Sequence, residues 1–143
     1  MARIRIEFPT TELFSTTIPV RITDLNYGRH VGNDVFLRYL QEARMELFKY
    51  WGYASETQIE GTVGLIMADV AANYRAEGFY GDVLRISVSA ADVSRSGFDL
   101  LYRITKEEGG QEVLLAKTGM VCFDYEQRKV ASLPDSLRMR LQG

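Results

Sequence analysis

From Asp34 to about Trp51 the residues Val35, Phe36, Tyr39, Leu40, Ala43, Leu47 and Trp51 recur every three or four positions. That spacing lines up one apolar stripe on a helix. Leu37, Met45 and Phe48 add apolar surface elsewhere on the cylinder, which predicts a helix enclosed by other elements. Asn33 or Asp34 is the expected N-cap, since a short side-chain oxygen can accept from the free N–H groups of the first turn. Gly52 is placed to stop the helix. On either side the period falls to two. Thr16 to Ile22 is rich in β-branched residues and reads as a first strand. After a polar patch from Glu56 to Gly61, Leu65 to Tyr74 is mostly apolar, and Leu84, Ile86, Val88 and Ala90 alternate. Ser94 to Gly97 reads as a turn; Phe98, Leu100, Tyr102 and Ile104 alternate again; Gly109-Gly110 marks a hairpin before a last strand from Val113 to Tyr125. One strand, one long helix and about four antiparallel strands predict an α+β fold, an antiparallel sheet wrapped around a single central helix.

Such a sheet has open edges and leftover apolar surface, and both invite association. Homodimerisation by pairing edge strands into one continuous sheet would satisfy them, with a dimer of dimers as the next step.

Composition narrows the setting. The chain has 143 residues, 46% hydrophobic and 25% charged, which suits one domain over residues 1–143 with a full core. A formal net charge of -2 offers nothing to nucleic acid or an anionic membrane. No apolar run approaches the roughly 18 residues of a spanning helix, and the first residues lack the apolar centre of a signal peptide. Cys122 is the single cysteine, so neither an internal disulfide nor a cysteine-clustered metal site is expected. A cytoplasmic protein without a metal or redox cofactor is the expectation.

The one histidine, His30, falls in Thr23-Asp24-Leu25-Asn26-Tyr27-Gly28-Arg29-His30-Val31-Gly32-Asn33-Asp34, between strand and helix. Together with Phe36 to Arg44 on the helix, this stretch resembles the signature D-x-D-x-x-x-H-V-N-N, followed by an aromatic-rich helix ending in E-A-R, of the hot-dog-fold thioesterases. The resemblance is to the group of 4-hydroxybenzoyl-CoA and bacterial acyl-CoA thioesterases, with related motifs in plant acyl-carrier-protein thioesterases. Tyr74 to Leu84 is similar to the family's Y-x-x-x-x-x-x-G-D-x-L, Ser94 to Phe98 to its S-x-S-F turn, and Val121 to Asp124 to its last strand. The resemblance implies a hot-dog fold and hydrolysis of an acyl-CoA or acyl-carrier thioester. Coenzyme A would be part of the substrate, and the site would lie between two subunits.

The chain also departs from the pattern. The second aspartate, usually proposed as nucleophile or general base, aligns with Asn26, which cannot take a proton at neutral pH. The asparagine found two residues before the histidine in plant enzymes is Gly28 here, and their Glu-Cys pair aligns with Glu77-Gly78. The candidate catalytic set is therefore Asn26, His30, Asp24 and Glu77. An imidazole titrates near neutrality and can accept a proton from water, and Asn26 would hold the water or the acyl carbonyl. The helix start beyond Asn33 offers N–H groups to the oxygen that turns negative. Glycines 28 and 32 let backbone approach a ligand. Each residue also has a plain structural reading: His30 packed at the helix entrance, Asn26 in an Asx turn, Asp24 in a salt bridge, Glu77 a solvated charge. If Asp24 and Asn26 lie in extended chain, they share a side and a pocket.

For substrate, Tyr27, Gly28, Asn33 and Phe36 are candidate pocket residues, and Tyr39, Leu40 and Met67 could extend an apolar tunnel or simply be core. Ser94, Arg95 and Ser96 offer hydroxyl and guanidinium donors to the phosphates of coenzyme A, or form an exposed turn. Asp69 would need a partner if buried. Glu42 and Arg44 read as surface or interface charges, and Cys122 as an inert buried thiol. Two other functions stand beside hydrolysis. One is an acyl-thioester-binding hot-dog protein weakened in catalysis, which Asn26 favours. The other is an acyl-thioester dehydratase or hydratase, which the lack of a proline near His30 disfavours.

Overall fold

Period-two segments become strands and the period-3.6 segment a helix in the computed structural model, which describes residues 2–143. The strands are β1 (Phe14–Pro19), β2 (Val63–Tyr74), β3 (Val83–Ala91), β4 (Gly97–Lys106), β5 (Glu112–Asp124) and the two-residue β6 (Lys129–Val130). The helices are α1 (Val35–Tyr50) and α2 (Asp135–Leu141), with a 3-10 turn at Ile22–Asp24. All pairings are antiparallel in the order β1-β3-β4-β5-β2, with β6 on the end of β5. This is the expected hot-dog arrangement, a sheet packed on one long helix.

The anticipated helical stripe is buried throughout, from Val35 to Trp51, with Phe48 joining it. It meets Leu84, Ile86, Val88, Leu100, Ile104, Leu114 and Met120 on the inner face of the sheet. Leu37, Met45 and Tyr50 stay exposed, so the helix is covered on one side rather than enclosed. Asp34 holds the cap position but makes no side-chain cap bond, a departure from the expected N-cap chemistry. Gly52 ends the helix at φ 95°, in the left-handed region that favours glycine.

One boundary and two packed segments differ from or add to the sequence reading. The first strand runs from Phe14 to Pro19 instead of Thr16 to Ile22, because Ile22 enters the 3-10 turn. The C-terminal helix α2 was not anticipated; Leu137 and Leu141, four apart, anchor it in the main core. The N-terminal segment crosses the outer face of the sheet, where Ile6 packs on Leu101 and Leu115. There the Asn73 amide accepts from the Ile6 N–H (3.2 Å) and donates to the Ile4 carbonyl (2.7 Å).

Arg44 corrects a second expectation. It is 6% exposed, not a surface charge. Its guanidinium donates to Glu56 at 3.0 Å and to the Tyr102 hydroxyl at 3.2 Å, and that hydroxyl pairs with Thr118 at 2.7 Å. Burial alone would lower the guanidinium pKa, but Tyr102 and Glu56 outweigh it and leave it raised. A polar tie therefore runs from α1 through the core to β4 and β5.

Candidate active site

The segment from Arg21 to Asp34 is tied to itself before it is tied to anything else. The Asn26 N–H donates to the His30 carbonyl (2.9 Å), and Arg29 N–H to the Asn26 carbonyl (3.0 Å), closing a tight loop. Inside it the Asn26 side-chain oxygen accepts the Gly28 N–H at 2.9 Å, an Asx turn. Val31 N–H donates to Gly78 at 2.8 Å and fastens the loop to the chain following β2. Arg29 takes a left-handed φ of 65° at the tip.

His30 is half-buried and its Nδ1 lies 3.2 Å from the Val31 carbonyl. A carbonyl only accepts, so this contact is a hydrogen bond in the tautomer whose Nδ1 carries the proton, and that tautomer leaves an acceptor at Nε2. Nε2 overlooks Gly28: a Cβ built there would stand 2.9 Å from Nε2 and 3.3 Å from the Asn26 oxygen. Glycine at 28 thus lets the imidazole edge and the Asn26 amide oxygen pack against the same stretch of backbone.

His30, Val31, Asn33, Phe36, Tyr74, Arg75, Ala76 and Glu77 line an open cleft of about 290 Å³. Four of the sequence candidates, His30, Asn33, Phe36 and Glu77, therefore meet in one place. The helix start supplies part of the wall. Val35 and Leu37 N–H groups bond to Gly32 and Asp34 carbonyls, and no side chain caps the turn, so the Phe36 N–H has no side-chain partner. Tyr74 opens the Y-x-x-x-x-x-x-G-D-x-L segment noted in the sequence and Arg75 follows it, but neither was expected in the pocket. The signals that could have placed them were that motif tyrosine and an aromatic and a cation closing an otherwise apolar strand.

Asp24 does not share that space. The chain there is a 3-10 turn, not extended strand, so the alternation that would pair Asp24 with Asn26 is absent. The Asp24 carboxylate turns inward, accepting from the Tyr39 hydroxyl at 2.8 Å and the Arg21 N–H at 2.9 Å. Burial, with this bond to Asp24 adding to it, holds the Tyr39 phenol well above its usual range. The partners are a phenol and a backbone amide rather than the salt bridge the sequence suggested.

Other candidates fall elsewhere in the chain. Tyr27 is fully exposed, while Tyr39 and Leu40 are core. Ser94, Arg95 and Ser96 form the β3–β4 turn, closed by Ser94 on Gly97 and held by Leu133 and Arg138. Gly97 pairs with Val121, which pairs with Ile66, so this turn sits roughly 25 Å along β2 from Tyr74 and the cleft. Asp69 is not buried. It pairs with Lys117 at 2.7 Å, a bond that lowers its pKa, with help from the Gly119 N–H. Cys122 is buried in the core, and burial pushes its thiol up to about 11. Gly78, where plant enzymes carry cysteine, is itself buried: a Cβ would approach Val31 to 3.0 Å. Among the described residues no cluster of three His, Cys, Asp or Glu is placed to hold a metal. Among the same residues no helix is long and apolar enough to cross a membrane.

A six-stranded antiparallel sheet on one long helix, with a histidine loop at the helix start, defines a hot-dog thioesterase-like protein. Residues 20–141 match the family described as the thioesterase-like superfamily, and the chain belongs to it. Among curated relatives it is 28% identical over 127 residues to the long-chain acyl-CoA thioesterase FadM of Escherichia coli, covering 89% of this chain and 96% of that one. Among solved structures it matches a 1,4-dihydroxy-2-naphthoyl-CoA thioesterase from Synechocystis (TM-score 0.75, 24% identity, 90% of this chain and 95% of that one). It also matches a Thermus thermophilus thioesterase complexed with coenzyme A and Zn (TM-score 0.79, 24% identity, 94% and 95%).

Proposed function

We propose that the protein hydrolyses acyl-CoA thioesters with a water activated by His30, in a site completed by a second copy of the chain. The observation that carries this reading is the imidazole: it lines the cleft, and with Nδ1–H on the Val31 carbonyl its Nε2 is left as an acceptor near the Asn26 amide oxygen. Water held there loses its proton to Nε2 as its oxygen attacks the thioester carbon. The carbonyl oxygen turns negative against the first turn of α1, where the Phe36 N–H and the helix dipole favour it. The C–S bond then breaks, and the imidazolium returns the proton to the departing thiolate. Asn26 stands where many relatives have aspartate, and its role is to hold water, since an amide takes no proton.

The open edge of the sheet supports the second copy. β2 is paired on one side only, and Ile66, Met67, Val70 and Tyr74 are all exposed. β1, the other edge, is six residues long, polar and ends in proline, all features that discourage pairing. Two-fold antiparallel pairing through β2 would bring the far end of one sheet beside the cleft of the other. The partner's Ser94, the partner's Arg95 and the partner's Ser96 would then reach coenzyme A phosphates that this chain's own turn cannot. The likeness to FadM and to a thioesterase complexed with coenzyme A supports the same substrate class.

Thiol release from short, long, branched and aromatic acyl-CoAs tests the reading directly. We expect turnover with at least one class, and His30→Ala to lower kcat by about 10²- to 10⁴-fold with secondary structure retained. Unchanged turnover in that variant would remove His30 as the base. Asn26, its oxygen already engaged by Gly28, favours a second reading: an acyl-CoA-binding protein without hydrolysis. Calorimetric binding of acyl-CoA with no thiol released would establish that alternative.

A further inference from the structure

Tyr74 belongs both to the cleft beside His30 and to the inner face of β2. Cross-strand pairing sets Met67 opposite Met120, Val70 opposite Thr118 and Tyr74 opposite Leu114, and opposed residues share a face of the sheet. Met120, Thr118 and Leu114 all lie on the α1 side, each at most 2% exposed. Met67, Val70 and Tyr74 face the same way, yet they are 49%, 41% and 48% exposed. The cause is the seat of α1, whose backbone comes closest to β1 and β3 and leaves β2 uncovered. An apolar strip about 20 Å long therefore runs along the inner face of β2, and Tyr74 stands at its junction with the cleft.

Tyr74 crosses that junction as a bar. Its ring meets Phe36 edge-on, centroids 5.9 Å apart at 69°. Its hydroxyl donates to the Asn33 carbonyl at 2.9 Å, so the side chain reaches from β2 to the residue before the helix cap. Burial, with the Asp34 charge adding to it, raises the phenol pKa and keeps it a neutral donor. A single neutral hydrogen bond, weak in net terms because water competes for both partners, holds the ring in place.

We propose that Tyr74 sets which acyl chains this protein accepts. This rests on the acyl-thioester reading above. With the bar in place, the acyl group is confined to the cleft between His30, Phe36 and the Tyr74 ring. With the ring turned aside, the cleft joins the strip of Val70 and Met67, which the second copy would roof over and which has the length and apolar character to take a long straight chain.

The test compares kcat/KM for butyryl-, octanoyl- and palmitoyl-CoA in the wild type, Tyr74→Ala and Tyr74→Phe. Tyr74→Ala is expected to raise the palmitoyl-to-butyryl ratio by about tenfold or more, the scale on which apolar pockets sort methylene groups. Tyr74→Phe, which keeps the ring and loses only its tether, should move the ratio the same way by less. A general loss of structure would lower all three substrates together and leave the ratio alone. If Tyr74→Ala does not fold, Tyr74→Phe decides. An unchanged ratio in the folded variants overturns the proposal while leaving hydrolysis intact. Should the wild type release no thiol, hydrolysis fails separately. Affinities for S-butyl- and S-hexadecyl-coenzyme A thioethers then read the same ratio: a shift in the variants supports the role of Tyr74, and no shift overturns it.

Discussion

Asp24 and Asn26 stand two residues apart and end in different surroundings. One carboxylate is buried against Tyr39, while the amide closes a turn on Gly28 beside the imidazole. Asn26→Asp tests the difference. The new carboxylate could accept the same Gly28 N–H and would add a proton acceptor next to His30, so thiol release should rise by about tenfold or more, within the range a positioned base supplies. Cys122 carries a pH prediction. Its thiol titrates near 9 in unfolded chain and near 11 when folded, so the folded state holds the extra proton between those values. Stability from this group is fully present below about pH 9 and lost as pH rises towards 11. The loss is about 2–3 kcal/mol at one pH unit or more beyond that window. Urea unfolding of wild type and Cys122→Ala across that range should show the extra slope in the wild type alone.

At the scale of elements, α1 shows what periodicity can and cannot carry. Its buried stripe was legible residue by residue, because burial on a helix repeats with the turn. Arg44 was misread: it lies four residues after Leu40 and one after Ala43, inside the stripe, and a cation there signals a buried partner. Those partners, Glu56 and Tyr102, are 12 and 58 residues away, a distance no local pattern spans. Arg44→Ala should cost about 3 kcal/mol of unfolding free energy, since it leaves a carboxylate and a buried hydroxyl without their cation. Chemical denaturation measures it directly. α2 escaped notice for a different reason. Its seven residues give one turn of pattern, Leu137 and Leu141, which is too little to stand out from loop.

At the scale of the whole molecule, the open edge of β2 is the feature with most at stake. Val70→Lys places a charge in the middle of that edge, where pairing with a second copy would bury it. Sedimentation should show a monomer for this variant against a dimer for the wild type. A wild-type monomer with full turnover would remove the second copy from the site.

The sequence by itself determined the element types, their order, the helical stripe and the cluster of motifs that marks the thioesterase-like family. Each of these is carried by neighbouring residues through a backbone period or a short spacing. Tertiary structure alone decided that Asp24 faces inward, that Arg44 is buried and that the Ser94–Gly97 turn lies at the far end of the sheet from His30. It alone brought Tyr74 across the cleft. These are relations between segments distant in sequence, and they follow from how a strand edge and a helix seat themselves around one core, which no single stretch of chain encodes.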